Sequence, residues 1–183
     1  DVTLFDQSEK ALSIAKKNNP NLKIVHGSFE TIDINQEYDA GICMWSTLSY
    51  IFSEEGKINF YNWQKTHIRK LIILDEANFY RYNQKFHKIY DGENENYKMK
   101  VIRDWELTSE NLKKTKFIYE IFDKKTGKTE MIDDAENEQY VEIEQLQRYF
   151  GSGWKSEIYG DYNLNNHFDR EKSPRIIPVF FKA

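Results

Sequence analysis

Four short apolar runs, Val2–Phe5, Leu22–His26, Ala40–Met44 and Leu71–Leu74, punctuate the first part of the sequence and leave few folds open to it. After the first run, Ser8 is placed to cap a helix that extends to about Asn18, with Leu12 and Ala15 facing inward and Pro20 ending it. Gly27 closes the second run, and Tyr38-Asp39 leads into the third. A further helix spans about Lys57 to Ile68, with Ile58, Tyr61 and Ile68 on one side. Leu71-Ile72-Ile73-Leu74 is apolar at every position, the pattern of a strand covered on both faces. Strand–helix alternation of this kind specifies a parallel α/β sheet, and all four runs are expected to lie parallel in one sheet.

The pattern changes after Glu76. Residues 78–140 are charged and aromatic, with period-two stretches at Met99–Leu107 and Lys116–Phe122. Lys124–Lys128 supplies a turn from which Thr129–Ile132 returns as a partner strand. The α/β pattern then resumes. Ile143, Leu146 and Phe150 fall at helical spacing, and Gly151 and Gly153 end that helix. Lys155–Tyr159 and Ile176–Phe181 read as a hairpin-like pair, the latter antiparallel within the main sheet even though Pro178 cannot donate to a ladder. The chain is therefore read as one α/β domain over 1–183. Its parts are a parallel segment (1–77), an antiparallel insertion (78–140) and a C-terminal helix and strand pair (141–183).

Composition removes several classes of function. Lys and Arg total 26 against 30 Asp and Glu, interspersed and without a basic stripe, which argues against nucleic acid as a partner. Cys43 is the single cysteine, so no internal disulfide forms, and its apolar run suits a small buried hydrophobe better than a nucleophile. His26, His67, His87 and His167 are scattered, with no spacing that would build a metal site. No stretch has membrane-spanning length and no leader pattern is visible, so a soluble, cytoplasmic protein without a membrane partner is expected.

Three places could carry chemistry. Asp6 ends the first strand, where a carboxylate faces the crevice in which nucleotides bind and can accept two hydrogen bonds from a ribose diol. An Asp at such a junction also serves as a helix cap, and both roles are open. His26-Gly27-Ser28-Phe29 offers a tight turn, a hydroxyl and a ring able to stack on a base, or simply a strand-ending turn with a core Phe. Met44-Trp45-Ser46-Thr47-Leu48-Ser49-Tyr50 sets hydroxyls between aromatics at a strand's carboxyl end, which suits a pocket wall, although some of these residues must be packing.

In this order and spacing the three segments resemble the class I, Rossmann-like S-adenosylmethionine-dependent methyltransferases. Val2 to Pro20 is similar to the strand, acid and helix that follow that family's first cofactor loop. Val25-His26-Gly27-Ser28-Phe29 resembles its adenine-binding turn, and Tyr38 through Tyr50 its fourth strand and the start of its active site. The pattern is closest to small-molecule methyltransferases, including amino-sugar N-methyltransferases, which also carry an antiparallel insertion and then a helix ending in Gly plus an aromatic, here Gly153-Trp154.

The resemblance implies S-adenosylmethionine as cofactor, with Asp6, Gln7, Gly27, Ser28, Phe29 and Met44 binding it. It implies methyl transfer by in-line displacement to a small-molecule acceptor, an amine among the candidates, with Tyr50 as the catalytic residue that orients or deprotonates it. Trp45 and Glu76 are the substrate-side candidates, and no metal is expected. Tyr50 could equally be an aromatic lid and Glu76 a loop carboxylate. The insertion is expected to cover the acceptor and select it.

Two departures accompany the match. Ser28 stands where family members usually have an Asp, so that contact to the adenine is weaker or made by backbone. The family's first strand and its glycine-rich loop are not seen in the sequence; the strand's place is central in the sheet, between the family's second and fourth strands. A preceding segment or a partner chain is expected to supply it, and this segment alone is expected to be inactive. Separation of Val2–Phe5 from Ala40–Met44 into different sheets is expected to end the methyltransferase reading. Its rivals are a catalytically inactive methyltransferase-like binding subunit and, ranked lowest, an NAD-dependent Rossmann enzyme.

Overall fold

The computed structural model describes residues 1–81, 85–108 and 112–183, with only the main chain of Lys85. The chain forms two compact units. The first comprises Asp1–Ala77, Val141–Phe168 and Arg175–Ala183, and the second Asn78–Tyr140 with Asp169–Pro174.

The first unit opens with β1 (Thr3–Asp6), α1 (Glu9–Asn18) and β2 (Lys23–His26). Ser8 caps α1 by accepting from the Ala11 amide, as its position predicts, and Leu12 is the buried residue of the helix. β3 (Tyr38–Cys43), α2 (Glu54–His67), β4 (Ile68–Leu74) and the short β5 (Glu76–Ala77) follow. The second helix starts three residues before the expected Lys57, because Ser53 caps it by accepting from the Gly56 amide.

β1 and β2 pair in parallel as a two-stranded sheet, Asp6 opposite His26. β3 and β4 pair in parallel in a second sheet, whose order runs β10 (Trp154–Tyr159), β11 (Arg175–Lys182), β4, β3. The expectation of one sheet holding all four parallel strands is therefore corrected: β1 and β3 do not hydrogen-bond. Between them lies a slot of about 160 Å³ lined by Thr3–Phe5 of β1, Ala40–Cys43 of β3, and the side chains of Phe29, Phe60 and Trp63 among others. Neither strand's outer edge reaches the other across it.

β11 is antiparallel to β4, β5 and β10. Pro178 is tolerated for a readable reason. Arg175 and Ile176 pair with β5, and Val179 to Phe181 pair with β4. Pro178 falls in the interval between those two ladders, where no amide is required of it. The core gathers where α2 and α3 (Ile143–Phe150) pack on the second sheet: Phe60, Tyr61, Ile68, Ile72, Leu74, Leu146, Phe150 and Phe180.

The second unit is a meander of β6 (Lys85–Glu93), β7 (Tyr97–Leu107), β8 (Leu112–Asp123) and β9 (Thr129–Gln139), each antiparallel to the next. The predicted turn at Lys124–Lys128 is present: Asp123 Oδ1 accepts from the Lys125 and Thr126 amides, and Gly127 takes φ +69°. β9 runs on to Gln139, well past the expected Ile132, although Asp133-Asp134-Ala135-Glu136-Asn137-Glu138 is poor strand sequence. Its lysine-rich neighbour explains this. Lys113 stands opposite Glu138 in the register and forms a buried ion pair with it, and Lys116 reaches Asp133 at 3.9 Å. Glu138→Ala leaves the Lys113 ammonium buried without that carboxylate, and is expected to cost about 3 kcal/mol in denaturant unfolding. The pair replacement Lys113→Met with Glu138→Leu should recover most of that loss. If the single and double variants lose equal stability, the pair is not what holds β9 in place.

Candidate active site

The carboxyl ends of the parallel strands carry the predicted residues in two groups. At the ends of β1 and β2, the Gly27 amide donates to the Asp6 carbonyl at 3.1 Å, so the acid and the turn are adjacent. A Cβ at Gly27 would lie 3.1 Å from the Phe5 ring, which is why the smallest residue stands there. Asp6 Oδ1 accepts from the Ser8 amide at 2.7 Å and so helps start α1. Its other oxygen has no partner among the described residues. The helix-capping role and a ligand-facing role therefore occupy different oxygens of one carboxylate.

Gln7 is exposed, and its carbonyl accepts from His26 Nε2 at 3.0 Å, which fixes the proton on that nitrogen. Ser28 caps the 3-10 turn Phe29–Thr31 by accepting from the Glu30 amide at 3.2 Å. Phe29 packs edge-on against Phe5 and Phe60, with ring centroids 5.1 and 5.3 Å away. It lines the slot beside β1 and borders the core.

The second group lies at the ends of β3 and β4. The Met44 carbonyl accepts from the Thr47 hydroxyl at 2.7 Å, opening the 3-10 turn Thr47–Tyr50. Trp45 is 77% exposed, and Tyr50, at the end of that turn, is exposed as well. Glu76 is 3% exposed, accepting from the Ser49 hydroxyl at 2.8 Å and the Leu48 amide at 3.3 Å. It props the turn from beneath. Burial pushes its carboxyl up to about 8, opposed by those hydrogen bonds and the Arg175 charge and assisted by the Asp75 charge. Burial also raises the Cys43 thiol, consistent with an inert core cysteine.

Sequence reasoning missed Asp75. It is fully buried, and its Oδ1 accepts from Arg175 Nε at 2.7 Å. Its Oδ2 accepts from the Trp45 amide at 2.9 Å and the Tyr162 hydroxyl at 3.0 Å. Trp45 and Ser46 both have φ +60°, a conformation costing a non-glycine residue roughly 1–2 kcal/mol. Hydrogen bonds to a charged group, worth about 1.5–3 kcal/mol, offset that strain. One signal for Asp75 was present: it is an acid at the carboxyl end of a parallel strand, the same criterion that selected Asp6. Nothing in the sequence linked it to Arg175.

Among the described residues no cluster of His, Cys, Asp or Glu could hold a metal ion, and no helix is long and apolar enough to cross a membrane. No family model matches the sequence, and no curated protein sequence matches it.

Solved structures do match. A Clostridium acetobutylicum S-adenosylmethionine-dependent methyltransferase superposes with TM-score 0.81 at 13% identity, over 99% of this chain and 74% of the other. CalS10 of Micromonospora echinaspora, an amino pentose methyltransferase crystallised with S-adenosylmethionine, gives 0.81 at 12% over 100% and 74%. KedS8 of Streptoalloteichus, a sugar N-methyltransferase, gives 0.78 at 12% over 100% and 71%. The chain has the Rossmann-like α/β fold of class I S-adenosylmethionine-dependent methyltransferases. The strands β1 and β3 do lie in different sheets, and the expectation that this would end the methyltransferase reading is corrected: the fold matches nonetheless, and the split falls where the resemblance places a further strand.

Proposed function

We propose that the protein transfers a methyl group from S-adenosylmethionine to a small-molecule acceptor in the cytoplasm, an amine on an amino sugar being the acceptor that its neighbours suggest. The observation that carries this reading is the unpartnered oxygen of Asp6, set beside the Gly27 turn at the ends of two parallel strands within a methyltransferase fold. The residues fit the cofactor's ribose: a carboxylate oxygen is available for a diol, and Phe5, the residue before it, packs on Phe29 in the slot beside β1. Ser28, already capping a turn through its oxygen, still has a hydroxyl proton to donate to a base. Met44 contributes from the other strand pair. When bound, S-adenosylmethionine supplies an electrophilic methyl on a sulfonium that departs as a neutral thioether. The chain's part is to align the acceptor lone pair with that methyl, with Tyr50 and Trp45 on the acceptor side and Glu76 supporting their turn.

The slot between β1 and β3, with an unpaired edge on each side, is the place for one more strand, from a further segment of the polypeptide or a partner chain. Transfer is expected to require it. The same unfilled slot favours the second reading, a catalytically inactive subunit that binds and does not react.

Titration calorimetry of S-adenosylmethionine into the full-length protein separates the two. Binding by wild type, with Asp6→Ala weakening it by about tenfold or more, supports the enzyme, since about 1.4 kcal/mol is a factor of ten. Tyr50→Phe should spare that affinity and lower turnover. Unchanged affinity in Asp6→Ala removes the ribose assignment. No binding by wild type leaves the inactive subunit.

A further inference from the structure

We propose that Asp75 is the positioning residue of the acceptor side, a buried carboxylate that clamps Trp45 and Ser46 in their left-handed turn and, through Tyr162, straps the segment Gly160–Phe168 onto it. The inference rests on the proposed function only for the word acceptor; the clamp itself is a property of the chain.

Three independent bonds converge on the turn. The Trp45 amide donates to Asp75 Oδ2, the Ser46 amide donates to the Asp75 carbonyl at 2.8 Å, and the Ala77 amide donates to the Ser46 hydroxyl at 2.9 Å. Asp75 is in turn fixed by its own amide, which donates to the Cys43 carbonyl at 2.9 Å, and by Arg175 Nε. Arg175 also reaches the Ser46 hydroxyl at 3.4 Å, and its guanidinium lies 5.9 Å from the centre of the Trp45 ring. Two consecutive non-glycine residues at φ +60° persist only where the surroundings over-determine them, and such strain concentrates at sites that present a side chain to a ligand. Here the presented group is the Trp45 ring, which stands out into solvent although its own amide and the Ser46 residue after it are held by three bonds.

Tyr162 makes the device more than a turn. The residue is 62% exposed, yet its hydroxyl donates to the same Asp75 oxygen that holds the Trp45 amide. The segment that carries it is tightly built. The Gly160 amide donates to the Asn166 carbonyl, the Asn166 amide to the Asn163 carbonyl and the Phe168 amide to the Ile158 carbonyl, while the Gly160 carbonyl accepts from the Arg175 amide. One carboxylate thus links the third strand, the fourth strand and a loop from the far end of the chain. It sets the direction of the Trp45 ring relative to that loop.

Amide hydrogen exchange on the ligand-free protein tests this whether or not S-adenosylmethionine binds. Tyr162→Phe, which removes only the hydroxyl bonded to Asp75, should raise exchange at Gly160, Asn166, Phe168 and Trp45 by about tenfold. Asp75→Asn should raise it at Trp45, Ser46 and Ser49 by at least about tenfold, with α2 little affected. Adding Trp45→Gly to Asp75→Asn should bring Ser46 and Ser49 back to within about threefold of wild type, because glycine adopts positive φ without strain. An Asp75 that served only to neutralise Arg175 in the interior would give no such rescue. Unchanged exchange in Tyr162→Phe, equal loosening of α2 in Asp75→Asn, or failure of the glycine rescue would each overturn the clamp.

Discussion

Phe60→Ala is expected to lower the stability of the first unit by about 3–5 kcal/mol, the range for truncating a fully buried aromatic. Phe60 is buried on α2 and is a central ring of a continuous series. Phe29 meets it edge-on at 5.3 Å, Tyr61 at 5.4 Å, and Tyr61 continues to Phe150 at 5.6 Å. Such pairs add about 0.5–1.5 kcal/mol beyond the area they bury. The substitution also removes the support of Phe29 and hence of the turn that Ser28 caps, so affinity for S-adenosylmethionine should fall with stability. Urea unfolding with an unchanged slope gives the first quantity and calorimetric titration the second. A stability loss under about 1 kcal/mol would mean that the rings repack around the vacancy, and the account of α2 as the support for this turn would be wrong.

Glu76→Gln should act in the opposite sense and depend on pH. In the folded protein the Glu76 carboxyl is held up to about 8, whereas in the unfolded chain it titrates near 4.5. Between those values the unfolded state has released a proton that the folded state keeps, so wild-type stability falls as pH rises through this window and levels off above it. One pH unit of separation corresponds to about 1.4 kcal/mol, which makes the full span worth as much as several kcal/mol. The facing groups are the Ser49 hydroxyl and Leu48 amide, which favour the carboxylate, the Arg175 charge, which also does, and Asp75, which opposes it. Cys43 and Tyr61, packed nearby, are both pushed upward and stay neutral across the window. Glutamine keeps one oxygen to accept from the Leu48 amide and turns its NH2 to the Ser49 hydroxyl, which can accept, with no proton to lose. Its stability curve should therefore be flatter between pH 5 and 8, and the variant the more stable protein at the upper end. Parallel curves for the two proteins would show that Glu76 is ionised in the folded state at neutral pH.

Much of the first unit was legible because its signals are local. The unbroken apolar run Leu71–Leu74 became β4, and the spacing of Ile143, Leu146 and Phe150 became the buried stripe of α3. The Asp6 and Gly27 pair lies at adjoining strand ends, as parallel topology requires of residues that close consecutive strands. The second unit was less legible. The acidic half of β9 has weak strand propensity and forms a strand because β8 offers both a ladder and, in Lys113 and Lys116, opposite charge, while β6 is completed by its ladder with β7.

Hydrophobic period, capping residues and turn chemistry act over a few residues, so the sequence by itself determined the strand–helix order of the first unit, the antiparallel character of the insertion and which residues close the parallel strands. The rest needed coordinates, because it depends on groups far apart in the chain. Whether the parallel strands share one ladder is decided by what stands between β1 and β3, a matter of distance that no local pattern encodes. The left-handed Trp45–Ser46 turn is unfavourable by local rules and persists only because Asp75, thirty residues on, accepts its amide. That carboxylate is tolerable in the interior only because Arg175, a hundred residues further, supplies the compensating charge.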